Sequence, residues 1–134
     1  MPVHIQAFSF NAFQENTYVV SEGQDAVIFD PGCYTKEEEG ALFEFINTNG
    51  LKVKAILYTH AHIDHILGAD YCQRTFKAPS HLHIEDQNTW ASVKNYAHLY
   101  GFENYKEAEV PIYLLEDQKE ITFGSLRFKV YHTP

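Results

Sequence analysis

Cysteine is scarce in this sequence: Cys33 and Cys72 are the only two. Two thiols cannot build the disulfide framework of a small secreted scaffold, so a reduced, cytoplasmic setting is expected. Positive charge is also short. Ten Lys and Arg stand against 18 Asp and Glu, a formal net charge of -8. So acidic a chain lacks the basic face that engages phosphates, and nucleic acid is not an expected partner. No apolar run approaches the roughly 18–20 residues that span a bilayer, so no membrane partner is expected either. The opening residues 1–14 lack a basic segment followed by an apolar one, and no secretory signal is expected. Repeats, linkers and low-complexity tracts are absent, so the 134 residues read as one domain.

What is present is apolar and aromatic. Hydrophobic residues make up 45% and aromatics 15%, enough to build a sizeable core and to exclude a disordered chain. The eight histidines are the anomaly, against about three expected from average usage.

The first third reads as strands. VHIQAFSF (3–10) alternates apolar and polar residues, NTYVVSE (16–22) follows, and Gly23 sits in the turn into AVIFD (26–30). Asp30-Pro31-Gly32 ends that run. Thr35 is the expected N-cap of a helix, with Glu37, Glu38 and Glu39 in its first turn and Leu42, Phe43 and Ile46 on its apolar stripe. Asn49-Gly50 closes it. A buried strand is expected over 53–58. A second helix is expected from Asp64 or His65 to about Phe76, then a strand over 80–84 and a short helix around Trp90. Residues 95–110 lack a period and read as an irregular excursion. Two further strands, 120–123 and 126–131, flank Gly124-Ser125. Strands mixed with helices in this order give an α+β class with a mixed sheet.

Residues 59–65 read Thr-His-Ala-His-Ile-Asp-His, so three histidines and a carboxylate fall within six positions after an apolar strand. His60 and His62 point the same way in extended backbone and can reach one cation. Asp64 and His65 lie where the chain turns and can be aimed at a second point nearby. Imidazole and carboxylate together suit Zn, Fe, Mn or Ni. Two cations about 3.5–4 Å apart can share a hydroxide, a nucleophile available at neutral pH. A lone HxH reads as a solvated loop, but four ligand-type residues in this pattern read as a metal site. His81 and His83 repeat the HxH spacing inside an expected strand, where solvent-facing or core positions are the better reading. Cys33 and Cys72 read as core.

The segment 59–65, followed by Ile66-Leu67-Gly68, resembles the signature of the metallo-β-lactamase superfamily. Glu15-Asn16-Thr17-Tyr18-Val19-Val20 is similar to that fold's second strand, and Phe29-Asp30-Pro31-Gly32 to its first turn. Phe123-Gly124 and residues 128–134 resemble the strands leading to its next ligand motif. The resemblance implies an αβ/βα sandwich, of which residues 1–134 form the N-terminal half, incomplete at the C-terminus, with helices on the outer face of the sheet. It implies two divalent metal ions, Zn first, with Fe or Mn as alternatives. His60 and His62 match ligands of the first metal, and Asp64 and His65 match ligands of the second. Asp64 also matches the residue that orients the attacking water, and Asp30 matches a residue that supports the metal loop from behind the ligands. His65 leans towards the dinuclear hydrolases, because several true β-lactamases of the superfamily lack a histidine there.

Within the superfamily the resemblance is to glyoxalase II-like enzymes. It implies hydrolysis of a small-molecule thioester, of hydroxyacylglutathione type, or an ester, by a metal-bound hydroxide. Lactonase, β-lactamase, phosphodiesterase and sulfur dioxygenase chemistry are alternatives on the same scaffold. His132-Thr133-Pro134 matches only the start of the family's HTPGH motif, with His132 at its non-ligand first position. A third ligand of the first metal is therefore expected two residues beyond Pro134. On this reading the chain is a trimmed segment, a fragment that dimerises, or a natural half-protein completed by another chain. A homodimer partner or the remaining half is expected to cover the apolar sheet face, and the 134 residues alone are expected to be inactive.

Overall fold

The computed structural model describes residues 2–109, 111 and 113–131. His132 lies outside them. Among the described residues eight strands form: β1 (Val3–Phe10), β2 (Glu15–Glu22), β3 (Asp25–Phe29), β4 (Lys52–Leu57), β5 (Ser80–His83), β6 (Tyr113–Leu115), β7 (Glu120–Phe123) and β8 (Leu126–Lys129). The first six make one sheet in chain order. β1, β2 and β3 pair antiparallel, and β3 to β6 pair parallel. The period of two sets the faces. Ile5, Val20, Val27 and Ala55 share one row, as Gln6, Val19, Ile28 and Ile56 share the next. β6 carries no clear period in the sequence and is added by parallel pairing against His81–His83.

Helix α1 (Lys36–Thr48) crosses from β3 to β4. The Thr35 hydroxyl accepts from the Glu38 N–H, and Glu38 reaches back to the N–H groups of Tyr34 and Thr35, a complete capping box. Leu42 and Ile46 are buried, whereas Phe43 lies exposed against Phe76. The expected single helix from Asp64 to Phe76 is two helices, α2 (Ile63–Ile66) and α3 (Ala69–Phe76). The break has a packing cause. The Gly68 N–H donates to the Pro31 carbonyl at 2.8 Å, and a Cβ at position 68 would overlap the Cys33 thiol. Helix continuity yields to the 30–33 turn, which packs where a side chain would be.

α4 (Gln87–Ser92) carries the buried Trp90, edge-on to Tyr58 at 5.0 Å. Residues 93–100 form two 3₁₀ turns, and the segment after them is irregular, as the absent period implied. These helices cover one sheet face around Phe10, Val19, Ile28, Ile56, Tyr58 and Leu82. The β7–β8 hairpin covers part of the other face, placing Leu126 and Phe128 on Val20, Val27, Ala55 and Leu57. Its turn is tied down by Ser125, whose N–H donates to the Asp25 carboxylate at 3.1 Å. Among the described residues no helix is long and apolar enough to cross a membrane.

Candidate functional site

Parallel strands leave their carboxyl ends side by side, where loops can converge. Here Asp30 directly follows β3, and Thr59 lies two residues past the end of β4. Asp30 is buried with φ at +52°, a left-handed conformation that Asp tolerates better than most residues. Its Oδ1 accepts the Thr59 N–H at 2.7 Å and its Oδ2 accepts the Thr59 O–H at 2.6 Å. One carboxylate thus clamps the residue before His60.

Thr59 passes this constraint on. Its Oγ1 lies 2.9 Å from His60 Nδ1. The hydroxyl has one proton, committed to Asp30, so it accepts from His60 Nδ1–H. That leaves the His60 Nε2 lone pair outward. The ring centroids of His60 and His62 are 4.5 Å apart, and those of His60 and His65 are 4.0 Å apart. His65 stands on the short helix α2, its Nε2 3.3 Å from Asp64 Oδ2 and its Nδ1 3.1 Å from Asp30 Oδ2. All five residues singled out from the sequence, Asp30, His60, His62, Asp64 and His65, therefore belong to one cluster.

Three residues with no assigned role in the sequence join them. Glu15 is buried at the start of β2. Its Oε1 accepts from the Thr17 hydroxyl, and its Oε2 lies 3.4 Å from His65 Nδ1. Thr17 also contacts the Asp30 carbonyl and accepts the Gly32 N–H. Asn11 donates its side-chain amide to the Gly32 and Asp64 carbonyls. The strand pattern carried a signal for two of these: Glu15 and Thr17 share the core-facing parity of Val19. Gly32 is demanded by this crowding, since a Cβ there would sit 2.5 Å from the Asp64 carbonyl oxygen and overlap the Glu15 carboxyl.

The electrostatics split the histidines. Burial, then the neighbouring His65, hold His60 below its ordinary value. Burial acts on His65 in the same sense, but its close contact with the Asp30 carboxylate and the charges of Asp30, Asp64 and Glu15 outweigh it and raise its affinity for a proton. Burial pushes Glu15 up to about 8, against the opposing pull of Thr17 and His65.

Among the described residues no group of three or more His, Cys, Asp or Glu side chains stands in a geometry that holds a metal ion. Asp64 and His65 face each other instead. The donor chemistry nonetheless fits one: three imidazoles, one with its Nε2 lone pair directed outward, crowd a carboxylate at a strand end. Beside them opens a cleft of about 720 Å³, floored by Phe29, Leu57 and Tyr58 and walled by Ile121 and Phe128. His81 and His83 lie within β5; His83 reaches the cleft rim and caps the turn after the strand through Glu85 N–H, while His81 lies edge-on to Phe123.

Residues 10–134 match the family model of the metallo-beta-lactamase superfamily. The probable metallo-hydrolase YqgX of Bacillus subtilis is 32% identical over 124 residues, covering 90% of this chain and 56% of that protein. Two solved structures are similar. BLEG-1, a B3 metallo-beta-lactamase, superposes with a TM-score of 0.83 at 32% identity, over 98% of this chain and 62% of that one. TTHA1623, solved in a di-iron-bound form, superposes with a TM-score of 0.80 at 30% identity, over 96% and 61%. The chain thus spans about three fifths of the length of these three proteins. The mixed sheet, the His-x-His-x-Asp-His loop at the end of β4 and the family match over residues 10–134 agree, and the chain belongs to the metallo-beta-lactamase superfamily, whose fold implies divalent metal ions.

Proposed function

We propose that the complete protein is a metal-dependent hydrolase, acting on a small-molecule thioester of hydroxyacylglutathione type or a related ester. The observation that carries this reading is the convergence of His60, His62, Asp64 and His65 in one cluster, of which His60 and His62 line an apolar cleft. His60 and His62 would hold a first metal and Asp64 and His65 a second, with Zn or Fe as the ions. When bound, such ions polarise a carbonyl and make water acidic enough to attack at neutral pH. Asp64 would orient the attacking water by accepting a hydrogen bond from it. Asp30 and Thr59 fix the His60 ring, and the apolar floor of the cleft takes the acyl body. The di-iron form of TTHA1623 supports Fe beside Zn.

A second reading is β-lactam opening, favoured by the similarity to BLEG-1. Turnover of S-lactoylglutathione and of a β-lactam panel by the complete protein separates the two. Elemental analysis of protein purified without chelator is expected to find about two first-row ions per chain. His60→Ala or His62→Ala should empty the first position, and Asp64→Ala or His65→Ala should mainly affect the second. Metal-free wild-type protein, or no turnover of any acyl substrate, sinks the hydrolase reading.

The same sheet face that the hairpin covers at Val27 and Leu57 leaves Val3, Ile5 and Tyr18 exposed, at 53%, 67% and 37%. This apolar strip is the surface a further layer of the same protein, or a second copy, would bury. Sizing of residues 1–134 beside the complete protein tests it: the shorter chain should self-associate or be poorly soluble.

A further inference from the structure

We propose that Glu15 is a positioning residue for the His65 ring, accepting its Nδ1–H and so leaving the Nε2 lone pair on the side of Asp64, its fellow candidate ligand. The inference rests on the reading of His65 as a metal ligand and adds the group that sets its tautomer. The Glu15 side chain is 1% exposed. Its two oxygens are unequal. Oε1 is held by Thr17, whereas Oε2 is buried with no hydrogen-bond partner and faces His65 Nδ1 at 3.4 Å. His65 Nδ1 is itself buried without an aligned bond. The orphaned acceptor and the orphaned ring nitrogen are thus each other's neighbours, and a small rotation of the ring joins them.

Asp30 also lies near that nitrogen, at 3.1 Å, and each of its oxygens accepts one bond from Thr59. Glu15 Oε2 is the acceptor that no other hydrogen bond engages. Burying a carboxyl with one oxygen unmatched costs stability that an apolar side chain of the same volume would not. Packing against Gly32 therefore does not explain this residue, and orienting a ring does. An imidazole whose Nδ1–H is held by a carboxyl presents Nε2 as the ligand atom, and such outer partners tune metal affinity about 10–100-fold.

The test compares Glu15→Met, which keeps volume without an acceptor, with Glu15→Gln, which keeps one. Nitrogen NMR of metal-free protein reads the His65 tautomer, and titration with Zn against a chelator reads affinity. The expected result is Nδ1–H in the wild type and a mixture of tautomers in Glu15→Met. Zn affinity should fall about 10–100-fold in Glu15→Met and stay within a few-fold in Glu15→Gln. A Glu15→Met protein with the wild-type tautomer and wild-type Zn affinity overturns the proposal. Should that variant fail to fold, the wild type at a pH where the His65 ring is neutral decides: a proton on Nε2 alone overturns the proposal, and a proton on Nδ1 alone sustains it. A wild type that binds no Zn refutes the metal reading itself, while the tautomer still judges Glu15.

Discussion

The Asn11 side-chain amide donates to the main-chain carbonyl of Asp64 at 2.9 Å, joining the β1–β2 turn to the metal-type loop across 53 positions of sequence. The same amide donates to Gly32, and the Asn11 N–H is taken by Glu38 of the α1 capping box. One turn residue, held at φ +57°, thus ties three segments together.

Asn11→Ala should therefore lower stability by about 1–3 kcal/mol, from two carbonyls left without a donor and a side chain forced into a left-handed turn. Asn11→Gly removes the amide but not the turn. It should recover part of the melting temperature and none of the protection of residues 62–65 in hydrogen exchange. If Gly and Ala behave alike in both measurements, the amide and not the turn geometry carries the whole effect.

Asp30→Asn presents a donor to Thr59 where a carboxylate accepted two bonds. Metal affinity should fall about 10–100-fold while the protein stays folded. Thr59→Val, which cuts both hydroxyl links, to Asp30 Oδ2 and to His60 Nδ1, and keeps the main-chain bond to Asp30, should give a smaller loss in the same direction. A collapse of melting temperature with unchanged affinity per folded molecule would mean that Asp30 merely caps its turn.

In metal-free protein, Glu15 should make stability depend on pH. Burial raises its pKa from 4.5 to about 8, so across that window the folded chain holds the proton more tightly than the unfolded chain. Stability from this group is greatest at the acid end and is lost as pH rises through the window. Denaturant midpoints of wild type and Glu15→Gln, measured from pH 5 to pH 9, should diverge in favour of the variant as pH increases. Parallel curves would show that Glu15 does not titrate there.

Glycines 68 and 40 should respond oppositely to alanine. At Gly68 the new Cβ would overlap the Cys33 thiol and lie 2.9 Å from the Cys33 carbonyl oxygen, so Gly68→Ala should cost roughly 1–3 kcal/mol or more. At Gly40, inside α1, nothing lies within 4 Å, and Gly40→Ala should gain about 0.5–1 kcal/mol. Thermal unfolding of the two variants decides both. A tolerated Gly68→Ala would mean that the 30–33 turn is not what breaks the helix.

The sequence by itself determined whatever a local period or a short motif can encode. Strands β1 to β5 follow from alternation and turn residues, and the start of α1 from Thr35 and Glu38, because those interactions join residues two to four positions apart. The cluster His60, His62, Asp64 and His65 was visible because its ligand chemistry is contiguous. Only the tertiary structure decided the rest. The break at Gly68 depends on Cys33 arriving against it, and β6 depends on an edge offered by β5. Asn11 and Glu15 reach the loop across 53 and 50 positions, a proximity set by the β1–β2 register and the fold of the 30–33 turn. A hydrogen bond requires placement to within a few tenths of an ångström, and over such separations no pattern in the chain supplies that; packing does.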